Sequence, residues 1–167
     1  MQFSRQIDVQ ATDPLNFDVC LEAFSSFNSK GNLNGLVQLT RELLPSPSLI
    51  KEFDKAHLHG VLRDLGFLIG SIRKLGKEPI MLVPELEELL LEIAICLDHV
   101  PRDTAYHYGL WNPIGSRQRT FTGLPDEVGL IDGVRDSALI FEEMLHLIFE
   151  IHNNLDDVNY LKCSLNK

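Results

Sequence analysis

Cysteine and tryptophan are scarce in this chain: three of the first and one of the second in 167 residues. The cysteines, Cys20, Cys96 and Cys163, are odd in number and far apart, and no CxxC or mixed Cys/His spacing occurs. That excludes a disulfide framework and a zinc-ribbon pattern, leaving reduced thiols as the expectation. Basic residues are outnumbered, 15 Lys and Arg against 24 Asp and Glu, with a net charge of −9. Such a balance argues against binding a phosphate backbone and against docking on an anionic lipid surface. No apolar run approaches the ~18 residues of a membrane-spanning helix, and MQFSRQIDVQATD has no apolar signal-peptide core. The expectation is a soluble, cytoplasmic protein with neither nucleic acid nor membrane as partner. GxSxG, a Walker loop and GxGxxG are all missing. Internal repeats, low-complexity stretches and alternating β-branched runs are missing too; the best strand candidate, IMLV at 80–83, reads better as a linker.

What the chain does have is helical periodicity. Apolar residues make up 44%, enough for a buried core in a domain of common size. The first dozen residues read as a tail or cap. Asp13-Pro14 opens a short helix to about 28 with Val19, Cys20, Ala23, Phe24 and Phe27 on one face, and NSKGNLNG is a loop signal. A second helix covers about 34–44. Ser46-Pro47 reads as an N-cap followed by a first-turn proline, opening a helix to Leu75 with Gly76 as its stop. Gly60, Gly66 and Gly70 inside it mark close packing or a kink, not a phosphate cradle. Pro84 opens PELEELLLEIAICLDH, with acids in the first turns where the helix dipole favours them. A last helix runs from Pro125 to about 152, with Leu130, Val134, Ser137, Phe141, Met144, Ile148 and Ile151 recurring on one face. The fold class is all-α: one domain over 1–167, a bundle of about five helices, with a long loop at about 99–124 before the last of them.

Chemistry is sparse outside that loop. His57 and His59 are two apart, and His146 and His152 six apart, so neither pair shares a helix face as metal ligands in HExxH do. No metal ligand set is assigned. Glu142-Glu143 and Asp156-Asp157 are adjacent acids that diverge, and they read as solvated faces. The segment HYGLWNPIGSRQRTFTGLP, in contrast, is too long for an idle connection and too aromatic for disorder. Trp111, Tyr106, Tyr108 and Phe121 are candidates to line an aromatic pocket, and Thr120 and Thr122 supply hydroxyls. Arg117 and Arg119 have two readings. Their forked donors suit a ligand carboxylate, or they satisfy loop carbonyls and helix C-termini and brace the fold. His107 likewise reads either as a site residue or as a hydrogen-bonded loop support.

PRDTAYHYGLWNP followed by QRTFTGLPDE, preceded upstream by LRDLGFLIGSIRKLGKEP and DPLNFDVCLEAFSSFN, closely resembles monodechloroaminopyrrolnitrin synthase and its relatives over about 13–150. The resemblance implies an all-helical fold of the tryptophan and indoleamine 2,3-dioxygenase superfamily. It implies haem b held by an axial histidine, and action on tryptophan or a related indole on the way to the antibiotic pyrrolnitrin. It also implies that this chain corresponds to the N-terminal half, because the family's iron-ligating histidine lies in the C-terminal half and none of the six histidines here matches it. Catalytic residues are therefore unassigned. His107, Trp111, Asn112, Arg119 and Thr122 match family positions, with Arg117 close to one, and are the candidate substrate-binding residues. Arg119 is the first choice for an anion contact, and the expected ligand is a small aromatic amino acid or indole. Broad apolar stripes without evident partners imply a homodimer or a chain supplying the C-terminal half. The alternative is a non-catalytic binding or dimerisation module derived from the same family.

Overall fold

The computed structural model describes residues 4–154; Cys163 and the Asp156-Asp157 pair lie outside the described residues. The chain order is α1 (Ser4–Ala11), a 3-10 turn (Phe17–Cys20), α2 (Leu21–Ser29), α3 (Leu33–Leu43), α4 (Pro47–Glu52), α5 (Lys55–Lys74), α6 (Pro79–Leu82), α7 (Glu85–Leu97), α8 (Ala105–Tyr108), a second 3-10 turn (Gly115–Arg117) and α9 (Pro125–Asn153). There is no strand among the described residues, so the fold is all-α. The IMLV segment lies largely in the short helix α6, opened by Pro79.

Several boundaries follow from side-chain caps. Asn32 accepts from the Gly35 amide at the start of α3, and Ser46 accepts from Leu49 ahead of Pro47 at the start of α4. The helix expected from 47 to 75 is two helices. Phe53 is extended, and the Asp54 carboxylate takes the His57 amide at 2.9 Å, starting α5 afresh. Of the two readings of the first dozen residues, the cap fits, since residues 4–11 form α1, whose Val9 is buried and whose Gln10 donates to the Leu110 carbonyl at 2.6 Å.

Helix α5 is the hub and touches α1, α3, α6, α7 and α8. Leu58, Val61, Leu62, Leu65, Leu68 and Ile72 recur on it at helical spacing and are buried. They meet Phe17, Phe24, Leu36, Ile50, Val83, Leu86 and Ile93 in one core. The glycines of α5 let chain segments, not other helices, come close. A Cβ at Gly60 would sit 2.4 Å from the Thr12 hydroxyl, and one at Gly66 would sit 2.7 Å from both Cβ and Cγ of Asp103. Because the second obstacle lies next to the backbone, relief requires moving the 99–104 segment. Gly66→Ala is expected to cost about 1–3 kcal/mol by overpacking, read as a lower urea midpoint; an unchanged midpoint would show that the segment yields freely.

On helix α9 the apolar stripe is largely uncovered. Only Ile131 and Arg135 are buried on it, while Leu130 and Phe141 are each 61% exposed and Ile148 is 56% exposed. The helix packs against α8 near its start. Further along, Met144, Leu145, Leu147 and Phe149 remain open. A patch of this kind normally marks an interaction surface. No helix among the described residues is long and apolar enough to cross a membrane.

Candidate functional site

The segment 99–124 is less irregular than its composition suggests, since α8 and the second 3-10 turn lie within it. Its side chains divide among three places.

The first is a buried ion network. The Arg119 guanidinium is fully buried. It donates to Asp64 at 2.9 Å, Asp13 at 2.8 Å, Asp18 at 2.5 Å and the Arg117 carbonyl at 2.7 Å. Arg63, equally enclosed, holds Asp64 from the other side at 2.8 and 3.1 Å and reaches the Val9, Thr12 and Trp111 carbonyls. Arg117 meets Asp18 and the Gln10, Ala11 and Thr12 carbonyls. Three guanidiniums and three carboxylates thus balance in charge, and the arginines take up the carbonyls left open at the end of α1. Burial works against the charge of Arg119, but Asp64, Asp18 and Asp13 outweigh it and raise its pKa further. Burial also opposes the charge of Asp18, yet Arg117 and Arg119 hold it below the usual carboxylate range. Asn112, fully buried, both gives to the Arg119 carbonyl and takes from the Arg119 amide at 2.8 Å, closing the 112–119 loop. The guanidinium expected to reach a ligand carboxylate therefore meets the chain's own acids, and Arg117 and Asn112 serve the same brace.

The second place is a ring cluster around the sole tryptophan. Trp111 lies 4.3 Å from His59 and 4.6 Å from His107 between ring centres, and the His99 ring stands 5.8 Å from His107. The hydrogen-bond pattern fixes the His107 tautomer. The Thr104 amide can only donate, so Nδ1 of His107 accepts it at 3.1 Å, and Nε2 carries the proton toward Nδ1 of His59 at 3.3 Å. His107 also closes a capping box at the start of α8. Protonating Nδ1 would set two donors face to face in a buried site. Burial, with His59, His99 and Arg63 nearby, pushes the His107 pKa from 6.5 down to about 2. Between these values the unfolded chain binds a proton that the folded chain refuses. Stability is therefore full above about pH 6.5 and falls as the pH drops through this window, by up to about 1.4 kcal/mol per pH unit. Urea unfolding at pH 8, 6 and 5, followed by Trp111 fluorescence, is expected to show that slope, and His107→Gln to flatten it. Equal midpoints for the parent at all three pH values would contradict the assignment.

The third place is open. Phe121 and Tyr108 lie over Phe67 of α5 at 4.8 and 5.6 Å between ring centres. They line a groove of about 600 Å³ with Gly70, Lys74, Thr122, Asp126, Glu127 and Leu130. Gly70 matters here because a Cβ would stand 3.3 Å from the Phe121 ring. Glu127 accepts the Phe121 amide, and the Thr122 amide and hydroxyl at 2.8 Å each, so its carboxylate fastens the loop to α9. Burial and the Glu127 charge raise the Tyr108 pKa, keeping the phenol protonated. Leu130 joins this groove to a second, of about 480 Å³, along Ala105, Val134, Ala138 and Phe141.

Of the six candidate residues, Thr122 lines the open groove beside α9. His107 and Trp111 sit in the ring cluster, while Asn112, Arg117 and Arg119 belong to the brace. Tyr108 and Phe121, named from composition as pocket-lining, do line one. Sequence reading missed Asp64 and Arg63; their signal was a charged pair inside the apolar run VLRDLGFLI, on the face that α5 buries. His59 and His99 carried no such signal, because they meet His107 only through the fold. The cysteine thiols of Cys20 and Cys96 are free.

No group of three or more His, Cys, Asp or Glu among the described residues could hold a metal ion directly. A haem iron needs only one protein ligand, and neither groove beside the loop offers it. No histidine or cysteine lines either groove beside the loop, and Tyr108 keeps its proton. Both ring nitrogens of His107 are engaged. Compared with known families, the chain matches the family model described as Monodechloroaminopyrrolnitrin synthase PrnB over residues 21–157.

Proposed function

Since the chain belongs to the monodechloroaminopyrrolnitrin synthase family, we propose that it is the ligand-facing part of a cytoplasmic haem-dependent oxidoreductase acting on tryptophan or a related indole. The observation that carries this reading is the aromatic groove beside the family's loop, running through Leu130 into the uncovered apolar face of α9. Together they form one wall of a cleft whose other wall lies elsewhere. The chain's own part is to bind the ring, exclude water from one side and orient the ligand. The haem ligand comes from outside the described residues, whether from further sequence or from a second polypeptide.

The α9 face also calls for an assembly partner, since its apolar side chains are open along most of the helix. A partner segment with an apolar face meets that demand. The second reading, a non-catalytic association module, rests on the same exposed face; a stable homodimer in sedimentation, without indole affinity, would favour it.

Absorption spectroscopy tests the proposal. The chain is loaded with haem alone and again with a polypeptide carrying the family's C-terminal half. A sharp Soret band that shifts on adding L-tryptophan is expected in the mixture and not in the chain alone. A mixture with no such band, or with a band indifferent to every indole added, overturns the reading.

A further inference from the structure

Building on the indole reading above, we propose that the groove between the end of α5, α8 and the start of α9 binds an aromatic amino acid as its zwitterion. Lys74 takes the carboxylate, Asp126 takes the ammonium, and Phe121 with Tyr108 stacks the ring.

The charged groups near the groove differ in what they already hold. Arg119 was the natural choice for a carboxylate, but its donors are spent on Asp64, Asp13, Asp18 and the Arg117 carbonyl. Glu127 is likewise spent on the amides of Phe121 and Thr122 and on the Thr122 hydroxyl. Lys74 and Asp126 remain. Both line the groove, both are exposed, and neither is in an ion pair among the described residues. They stand on different elements, Lys74 in the last turn of α5 and Asp126 in the first turn of α9. Opposite charges on one rim complement a molecule that carries both signs close together. An amino acid does so, whereas a neutral indole leaves both unused.

The floor selects the side chain. Phe121 and Tyr108 lie 27° from parallel with centres 6.3 Å apart, and Phe67 supports both from α5. Such a surface offers stacking to a flat ring. A volume of about 600 Å³ falls within the usual range of small-molecule sites, and the adjoining groove past Leu130 leaves room for ring substituents.

Calorimetry on the full chain, parent and variants, with four probes tests each contact separately. The probes are L-tryptophan, tryptamine, indole-3-propionate and indole. Lys74→Ala is expected to weaken L-tryptophan and indole-3-propionate about tenfold, the usual scale of one charged hydrogen bond, while sparing tryptamine. Asp126→Asn is expected to weaken L-tryptophan and tryptamine while sparing indole-3-propionate. Both positions are exposed, and circular dichroism confirms the fold of each variant. L-tryptophan bound equally by parent and both variants overturns the groove and leaves the indole reading standing. Equal loss of all four probes overturns the charge assignment. Failure of every probe to bind the parent, alone or with the C-terminal-half polypeptide, overturns the groove and the indole reading together.

Discussion

Asp64→Ala is expected to leave the chain without a stable fold. The Asp64 side chain is fully buried between two fully buried guanidiniums, Arg63 at 2.8 Å and Arg119 at 2.9 Å. Its removal strands positive charge in a low-dielectric interior, which costs on the order of 3–5 kcal/mol. Whole-domain stability is about 5–15 kcal/mol, so the loss consumes much of it. The damage spreads because the same guanidiniums hold α1 through the Val9 and Thr12 carbonyls and hold the turn before α2 through Asp13 and Asp18. Urea unfolding followed by circular dichroism reads the effect. Asp64→Asn, which keeps the shape, is expected to fall between parent and Asp64→Ala. An Asp64→Ala chain within 1 kcal/mol of the parent would show that water enters the network and screens it. Arg119→Ala is expected to behave alike, so any ligand affinity it loses would follow from unfolding, not from a missing anion contact.

Trp111→Ala is expected to cost about 3–5 kcal/mol, the scale for deleting a large buried aromatic. The ring is 7% exposed and stands where four helices meet. Val9 of α1, Ala56 of α5, Tyr106 of α8, and Ala138 and Leu139 of α9 pack around it, and His59 and His107 lie against its faces and edge. This small second cluster stands apart from the main core and ties α8 and α9 to α5. Its loss is therefore expected to loosen the groove wall before the remaining helices melt. Hydrogen exchange should show early opening of α8 and of the first turns of α9. Trp111→Phe refills part of the volume and is expected to restore part of the stability. A Trp111→Ala chain with parent-like exchange in α8 would show that the loop is held by the ion network alone.

How the sequence related to the fold is clearest at α5 and α9. Both carry apolar residues three and four apart, and both form helices. Their shared period says nothing of what covers the stripe: on α5 it is enclosed by five neighbouring helices, and on most of α9 it is open. Caps were readable in advance where a short polar side chain met a proline, as at Ser46-Pro47. The break at Phe53-Asp54 was not, because Asp54 is an ordinary acid until its carboxylate captures the His57 amide.

By itself the sequence determined the helical class, the order of the main helices, the family, and the segment where polar and aromatic groups gather, because periodicity, capping residues and motifs are local and survive translation along the chain. The tertiary structure alone decided what those groups face. Arg119 and Asp64 are 55 positions apart, and the rings of His59, His99 and His107 meet one another only because the fold brings three separate segments together. A guanidinium that spacing leaves free for a ligand is, once the chain closes, saturated by the protein's own carboxylates, and the groove charges outside any ion pair among the described residues are Lys74 and Asp126.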